Sequence, residues 1–307
     1  MDKTYRNYID GKWVEGSGKT LQVLNPATDK PIAEVPDGGA ADVEAAVAAA
    51  KRAQPAWEKM PAIQRAGHLR AISAKIRANA ERLAHTIVIE QGKVPELAAV
   101  EVEFTASYID YMAEWARRIE GEIVTSDRPG EQIFVFRRPI GVIAGILPWN
   151  FPFFLIARKL GPALITGNTI VIKPSEETPL NAFDFAGLVA ETDLPPGVFN
   201  LVCGGRETGA TLTGHKDVGM VSFTGSVDTG SRIMQACAKN LTRVSLELGG
   251  KAPAIVLADC DLELTANALF NSRVLNTGQA CNAAERVYVE RKIAPALADK
   301  VTKLMAG

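Results

Sequence analysis

The chain has 307 residues, 47% of them apolar and 22% charged, with a formal net charge of −1. That is the composition of a globular protein with room for two domains and a sizeable core. It leaves no basic footprint for nucleic acid or an anionic membrane surface.

Cys203, Cys237, Cys260 and Cys281 show no Cys-x-x-Cys spacing, and His68, His85 and His215 are well separated. A disulfide framework, a metal cluster and a Ser-His-Asp set are therefore not expected, and reduced thiols point to the cytoplasm. The first residues are polar and lack the apolar core of a signal peptide.

In chain order, residues 5–35 read as short strands. Ile9-Asp10-Gly11-Lys12 and Asn25-Pro26-Ala27-Thr28 are the expected hairpin turns. An alanine-rich helix follows over 40–57. Two longer helices are predicted over Ile63–Gln91 and Glu96–Glu120, with Gly92 as the stop between them. The second carries Phe104, Tyr108, Tyr111, Met112 and Trp115 near one face, which predicts a buried face. Next, Asp127-Arg128-Pro129-Gly130 is flanked by apolar strands and reads as a projecting hairpin. No residue from Pro139 to Ala157 is charged, a length that could span a bilayer. Pro139, Pro148 and Pro152, with Gly141, Gly145 and Asn150, break it into strand, turn and helix start, so no membrane span is expected.

From residue 140 strands and helices alternate. Apolar strands are predicted at Val142–Leu147, Thr169–Ile172, Val198–Val202, Met220–Phe223 and Val244–Leu246, with helices near 153–165, 180–191, 206–214 and 227–239. Continuous apolar strands between helices imply an α/β fold, a doubly wound parallel sheet binding its ligand at the strands' carboxyl ends. A strand at Pro253–Leu257, a helix at Leu262–Leu275, the Cys281 loop, a strand at Arg286–Glu290 and a final helix complete the chain. The expected division is 1–121 packing on the cofactor domain, 122–138 a hairpin, 139–250 the nucleotide domain and 251–307 the start of a second α/β domain.

Several short stretches carry chemistry. No Gly-x-Gly-x-x-Gly is present, but Met220–Phe223 runs through Gly225 and Ser226 into a helix start. There a glycine admits a pyrophosphate to the helix amides. Ser231 after Gly230 excludes a P-loop. Lys173 and Glu176 end a strand and suit an adenosine ribose, the carboxylate repelling a 2′-phosphate and so favouring NAD over NADP. This assignment is preferred to Glu247 as the ribose acid. Asn150, between Pro148 and Pro152, has a restricted backbone and an amide fit to donate to an oxyanion. Cys281 lies in a small, polar, glycine-bearing loop, as a covalent nucleophile needs. Glu247, between Leu246 and Leu248 and before Gly249-Gly250, is expected to be partly desolvated and to activate water. Cys203, Cys237 and Cys260 are expected to be bystanders.

Pro148-Trp149-Asn150-Phe151-Pro152, Lys173-Pro174-Ser175-Glu176, Phe223-Thr224-Gly225-Ser226, Glu247-Leu248-Gly249-Gly250-Lys251 and Gly278-Gln279-Ala280-Cys281, in this order and spacing, resemble the NAD(P)-dependent aldehyde dehydrogenase superfamily. The resemblance covers essentially the whole chain. It is nearest to lactaldehyde and glycolaldehyde dehydrogenases in Tyr108–Arg118, Ser126–Glu131 and Phe151–Lys159.

The resemblance implies Cys281 as nucleophile, Glu247 as general base, and Asn150 with the Cys281 N–H as oxyanion hole. It also implies Ile146, Trp149, Lys173, Glu176, Gly225 and Ser226 around NAD. Arg158 and Asn282 are candidate substrate donors, with Arg158 as a solvated helix-face residue the other reading. The implied reaction is oxidation of a small hydroxyaldehyde to its acid through a cysteine-bound thiohemiacetal and thioester, in a homo-oligomer. Relatives continue well beyond Gly307, so the resemblance implies a C-terminally truncated chain, which is expected to be inactive or poorly folded by itself. A semialdehyde dehydrogenase, or a non-catalytic fragment that binds nucleotide, are the competing readings.

Overall fold

The computed structural model describes residues 5–16 and 19–306, in two compact units, Met1–Glu247 and Leu248–Gly307. The first opens with β1 (Asn7–Ile9) and β2 (Lys12–Val14), an antiparallel pair. Asp10 and Gly11 between them have φ of 54° and 75°. Left-handed values at both central residues match a two-residue turn to the twist of its strands. β3 (Thr20–Asn25) and β4 (Lys30–Pro36) form a second antiparallel pair, whose turn is tied by the Ala27 N–H to Asn25 Oδ1 at 2.9 Å.

Four helices follow: α1 (Ala40–Lys59), α2 (Ala62–Ala78), α3 (Ala80–Gln91) and α4 (Pro95–Ala113). The predicted helix over Ile63–Gln91 is thus two helices. The break falls at Asn79, with φ −121° and ψ 19°, whose side-chain amide donates to the Lys75 carbonyl at 2.9 Å. A short amide that satisfies the preceding turn competes with helix continuation. Gly92 ends α3 at φ 77°, the left-handed conformation glycine adopts freely.

The helix predicted to run to Glu120 is α-helical only to Ala113 and then tightens into a single 3₁₀ turn at Glu114–Arg117. Its aromatic face is only partly buried: Phe104, Tyr111 and Trp115 are 55%, 48% and 37% exposed, while Tyr108 and Met112 are half-buried. The face that packs inward carries Ala98, Val102, Ala106, Ile109 and Ala113. Mostly small side chains there let neighbouring helices come close, which turns the bulky residues outward.

β5 (Glu122–Thr125) and β6 (Gln132–Val135) form the expected antiparallel hairpin, exposed along both strands. Then β7 (Val142–Ile146), α5 (Phe154–Ile165), β8 (Thr169–Lys173), α6 (Leu180–Ala190), β9 (Phe199–Leu201), α7 (Arg206–Thr213), β10 (Val218–Gly225), α8 (Val227–Ala238) and β11 (Arg243–Leu248) alternate as the sequence predicts. The sheet has the order β11-β10-β7-β8-β9-β1-β2. β10, β7, β8 and β9 pair parallel, and β1 joins β9 antiparallel. Every residue of β7, β8 and β9 is buried, as a sheet covered on both faces requires. Ile143, Ile170 and Ile172 of the strands pack with Leu160, Phe185 and Phe199 in one core, each such side chain contributing about 1.5–3 kcal/mol by burial.

The second unit contains β12 (Pro253–Val256), α9 (Leu262–Val274), β13 (Arg286–Val289) and α10 (Ala294–Ala306). β12 and β13 pair parallel, and Val256, Ala266 and Leu297 form its small buried core. Asp261 caps α9, its Oδ1 accepting the Glu263 and Leu264 N–H groups at 2.9 and 3.0 Å. Among the described residues no helix is long and apolar enough to cross a membrane.

Candidate active site

The carboxyl ends of three adjacent parallel strands meet in the first unit. Ile146 closes β7 and is the register partner of Lys173 at the end of β8 and of Phe223 near the end of β10. The Leu147 N–H donates to the Lys173 carbonyl at 3.0 Å. Ile146 is buried and Trp149 is 44% exposed, so the two supply a wall and a rim. Lys173 is buried, and its Nζ donates to the Pro174 carbonyl at 2.9 Å and to exposed Glu176 at 3.3 Å.

Gly225 ends β10. A Cβ at this position would lie 2.4 Å from the Phe223 ring, so a side chain would collide with its own strand. Ser226 caps α8, its Oγ accepting the Thr229 N–H at 3.2 Å. The Ser226 hydroxyl is therefore committed to the cap, and the helix amides are the stronger anion donors here. A helix N-terminus reached past a glycine, beside a lysine–carboxylate pair and an apolar wall, fits a dinucleotide.

Asn150 lies in the turn between β7 and α5. Its Oδ1 accepts the Phe151 N–H at 3.1 Å, which ties the acceptor end of the amide to the turn. Glu247 is on β11 at the edge of the sheet. It is exposed, contrary to the expected partial desolvation, while Leu246 and Leu248 are half-buried. Alternate side chains of a strand point to opposite faces, so flanking leucines do not cover the carboxylate between them.

Two groups escaped the sequence reading. Lys159 of α5 is buried, and its Nζ donates to Ser222 Oγ at 3.2 Å and Thr224 Oγ1 at 3.0 Å. Burial pushes its pKa down to about 7, with the Glu247 charge opposing and Arg158 assisting. Arg158 and Lys159 are adjacent in an otherwise apolar helix, and adjacent positions do not share a face. That signal could have marked one of them as turned inward. The second group is the buried pair of Lys93 and Glu101, for which neither residue's local sequence gave a cue.

Arg158 is exposed, with its guanidinium 5.7 Å from the Tyr108 ring and 5.9 Å from the Phe154 ring. Phe104 packs against Phe154 with the rings tilted and their centroids 4.6 Å apart. Arg158 and the exposed face of α4 thus form one aromatic, cationic surface.

Cys281 and Asn282 belong to the second unit, and both are exposed. Cys203 and Cys237 are buried, and desolvation pushes the Cys203 thiol up to about 12. Cys260 is half-buried. Upstream of Cys281, Asn276, Thr277 and Gly278 are all left-handed, with φ of 49°, 59° and 79°. For a β-branched residue this conformation costs about 1–2 kcal/mol. The unit also has a cavity of about 550 Å³ lined by Phe270, Leu297, Val301 and Met305 among others, and Cys281 is not part of its lining.

The aldehyde dehydrogenase family model matches residues 13–307. The chain belongs to the aldehyde dehydrogenase family. Lactaldehyde dehydrogenase of Escherichia coli (strain K12) is 62% identical over 288 residues, covering 93% of this chain and 60% of that protein. A solved structure of lactaldehyde dehydrogenase superposes with a TM-score of 0.97 at 58% identity, over 99% of this chain and 64% of that one. The 3,6-anhydro-L-galactose dehydrogenase in complex with NAP gives 0.95 at 43% identity, over 99% and 64%. PnpE in complex with nicotinamide adenine dinucleotide gives 0.94 at 40% identity, over 98% and 62%. The chain therefore spans somewhat under two thirds of the length of these relatives.

Proposed function

We propose that the protein containing this chain is an NAD-dependent dehydrogenase that oxidises a small hydroxyaldehyde, lactaldehyde or glycolaldehyde, to the carboxylic acid. The observation that carries this reading is the meeting of Ile146, Lys173 and the Phe223–Gly225 strand end at the carboxyl end of the parallel sheet. The 62% identity to lactaldehyde dehydrogenase supports the substrate class.

In this reading the Cys281 thiolate adds to the aldehyde carbon, and the Asn150 amide and the Cys281 N–H donate to the oxyanion that forms. NAD, when bound, supplies the acceptor for the hydride lost from that carbon. Glu247 takes a proton from the water that attacks the resulting thioester, freeing the acid and the thiolate. Glu247 therefore favours hydrolysis over acyl transfer to a second thiol. Lys173 and Glu176 hold the adenosine ribose, and the carboxylate disfavours a 2′-phosphate. Ile146 and Trp149 bound the cleft, while Gly225 and the Ser226-capped helix take the pyrophosphate. Arg158 and Asn282 donate to the substrate hydroxyl or the product carboxylate.

Residues 139–250 form the nucleotide domain in this reading, and 251–307 the part that carries the nucleophile. The hairpin at 122–138, with Ile123 74% and Phe136 73% exposed, is the element through which subunits of a cytoplasmic homo-oligomer pair.

NADH formation by the full-length protein with lactaldehyde, glycolaldehyde and succinate semialdehyde tests the reading. The first two are expected to be turned over best, and preference for the third would reassign the substrate. Cys281→Ala is expected to abolish turnover and keep NAD binding; NADH production by that variant would overturn the mechanism.

A further inference from the structure

The interior of the first unit holds two opposite charges that the reaction does not use. The Lys93 and Glu101 side chains are 0% exposed and paired. Two buried charges are costly to desolvate, and an apolar pair of similar volume often packs as well or better. Their other partners are therefore informative. Lys93 Nζ donates to the main-chain carbonyl of Asn150 at 2.9 Å and lies 3.8 Å from the centroid of the Phe151 ring. Glu101 Oε1 accepts the N–H groups of Phe153 and Phe154, both at 3.0 Å, where α5 begins. Lys93 follows the left-handed Gly92, and Glu101 lies on the buried face of α4.

The cation thus grips one end of the Asn150–Phe154 turn by a carbonyl, and the anion grips the other by two amides. A carboxylate on the first amides of a helix is favoured by the helix dipole. Both contacts are charge-assisted and sheltered from water, so they hold the main chain firmly.

We propose that Lys93 and Glu101 are positioning residues for the reaction, an ion pair that fixes the main chain of Asn150 so that its amide meets the oxyanion. The proposal rests on the reading of Asn150 as the oxyanion donor. Neither residue touches substrate or cofactor; both act through Asn150.

The test is a double-mutant cycle in the full-length protein, with kcat, KM and NAD affinity measured for Lys93→Met, Asn150→Ala and the pair. Removing an oxyanion donor costs about 10²–10³ in kcat, and a displacement of about 1 Å in a positioned group about 10². Lys93→Met is expected to lower kcat about 10- to 100-fold with KM and NAD affinity little changed. In the Asn150→Ala background the same substitution is expected to cost less than about threefold, because its target is gone. Full multiplication of the two effects would overturn the proposal and leave Lys93 a purely structural group. Unchanged kcat in Asn150→Ala alone would instead overturn the underlying reading of Asn150. Should Lys93→Met fail to fold, Glu101→Gln keeps the shape and an acceptor, and carries the same cycle with the same two outcomes.

Discussion

Lys159 Nζ donates to Thr224 Oγ1 at 3.0 Å, linking the interior of α5 to the end of β10 one residue before Gly225. An ammonium in that position has exchanged water for two hydroxyls, and burial lowers its pKa from 10.5 to about 7.

A resonance-specific NMR titration of Lys159 should therefore give a midpoint near 7, and a midpoint near 10.5 would reject the burial argument. Because the folded pKa is depressed, the folded state binds fewer protons than the unfolded state between about 7 and 10.5. The contribution of Lys159 to stability rises with pH through that window and is lost as pH falls through 7. Glu247→Gln removes the charge that raises the Lys159 pKa, so the midpoint should move lower still.

Gly225 is expected to tolerate a side chain poorly. A Cβ 2.4 Å from the Phe223 ring must displace either the ring or the turn into α8. Gly225→Ala should destabilise the protein by about 1–3 kcal/mol and weaken NAD binding by about tenfold or more, a shift of about 1.4 kcal/mol. Denaturant unfolding and a fluorescence titration with NAD measure the two effects. Wild-type affinity in the variant would show that the ligand does not approach this turn.

Glu90 gives the opposite pH signature to Lys159. It is a buried residue of α3 set against the start of α6, accepting from the Leu180 and Asn181 N–H groups at 2.7 and 2.9 Å and from Asn181 Nδ2 at 2.5 Å. Desolvation outweighs these donors and raises its pKa from 4.5 to about 8. The folded state then holds the proton more tightly than the unfolded state. The Glu90 contribution is full below about 4.5 and is lost as pH rises to about 8. Urea unfolding across that range should show the decline, and Glu90→Gln should flatten it. An equal slope in wild type and variant would assign the decline to other groups.

Arg65 is expected to be the costliest single charge to remove from the helical layer. Its guanidinium donates to the carbonyls of Ile165, Trp57, Glu58 and Met60, joining the ends of α1 and α5. Hydrogen bonds to charged groups contribute about 1.5–3 kcal/mol each, so Arg65→Met should cost at least about 3 kcal/mol. Arg65→Lys should recover little of it, since an ammonium lacks the planar fork that spans several carbonyls. A denaturation midpoint within error of wild type for either variant would refute this assignment.

Much of the fold was legible from local pattern. The strands from Val142 to Leu246 were readable as apolar runs, the turns at Asp10-Gly11 and Gly92 as glycine conformations, and Gly225 as a strand-to-helix switch. Each is dictated within a few residues, by sterics or, for β7 to β9, by burial on both faces of a sheet. Asn79 was missed because its side chain chose a local carbonyl over helix continuation, a competition that periodicity does not record. On α4 and the 3₁₀ turn that ends it, Phe104, Tyr111 and Trp115 are exposed where burial is expected, because hydrophobicity ranks residues and says nothing about which face finds a neighbour.

The sequence by itself determined the family, the alternation of the nucleotide fold and the residue types of the candidate site, since all are written in contiguous motifs. Tertiary structure alone decided that Lys159 is buried while its neighbour Arg158 is exposed, and that Lys93 and Glu101 meet beneath Asn150. Lys93 and Lys159 enter the interior because partners distant in the chain satisfy them, as Asn150, 57 residues away, does for Lys93. Those partners are fixed by packing, which no local reading of the sequence contains.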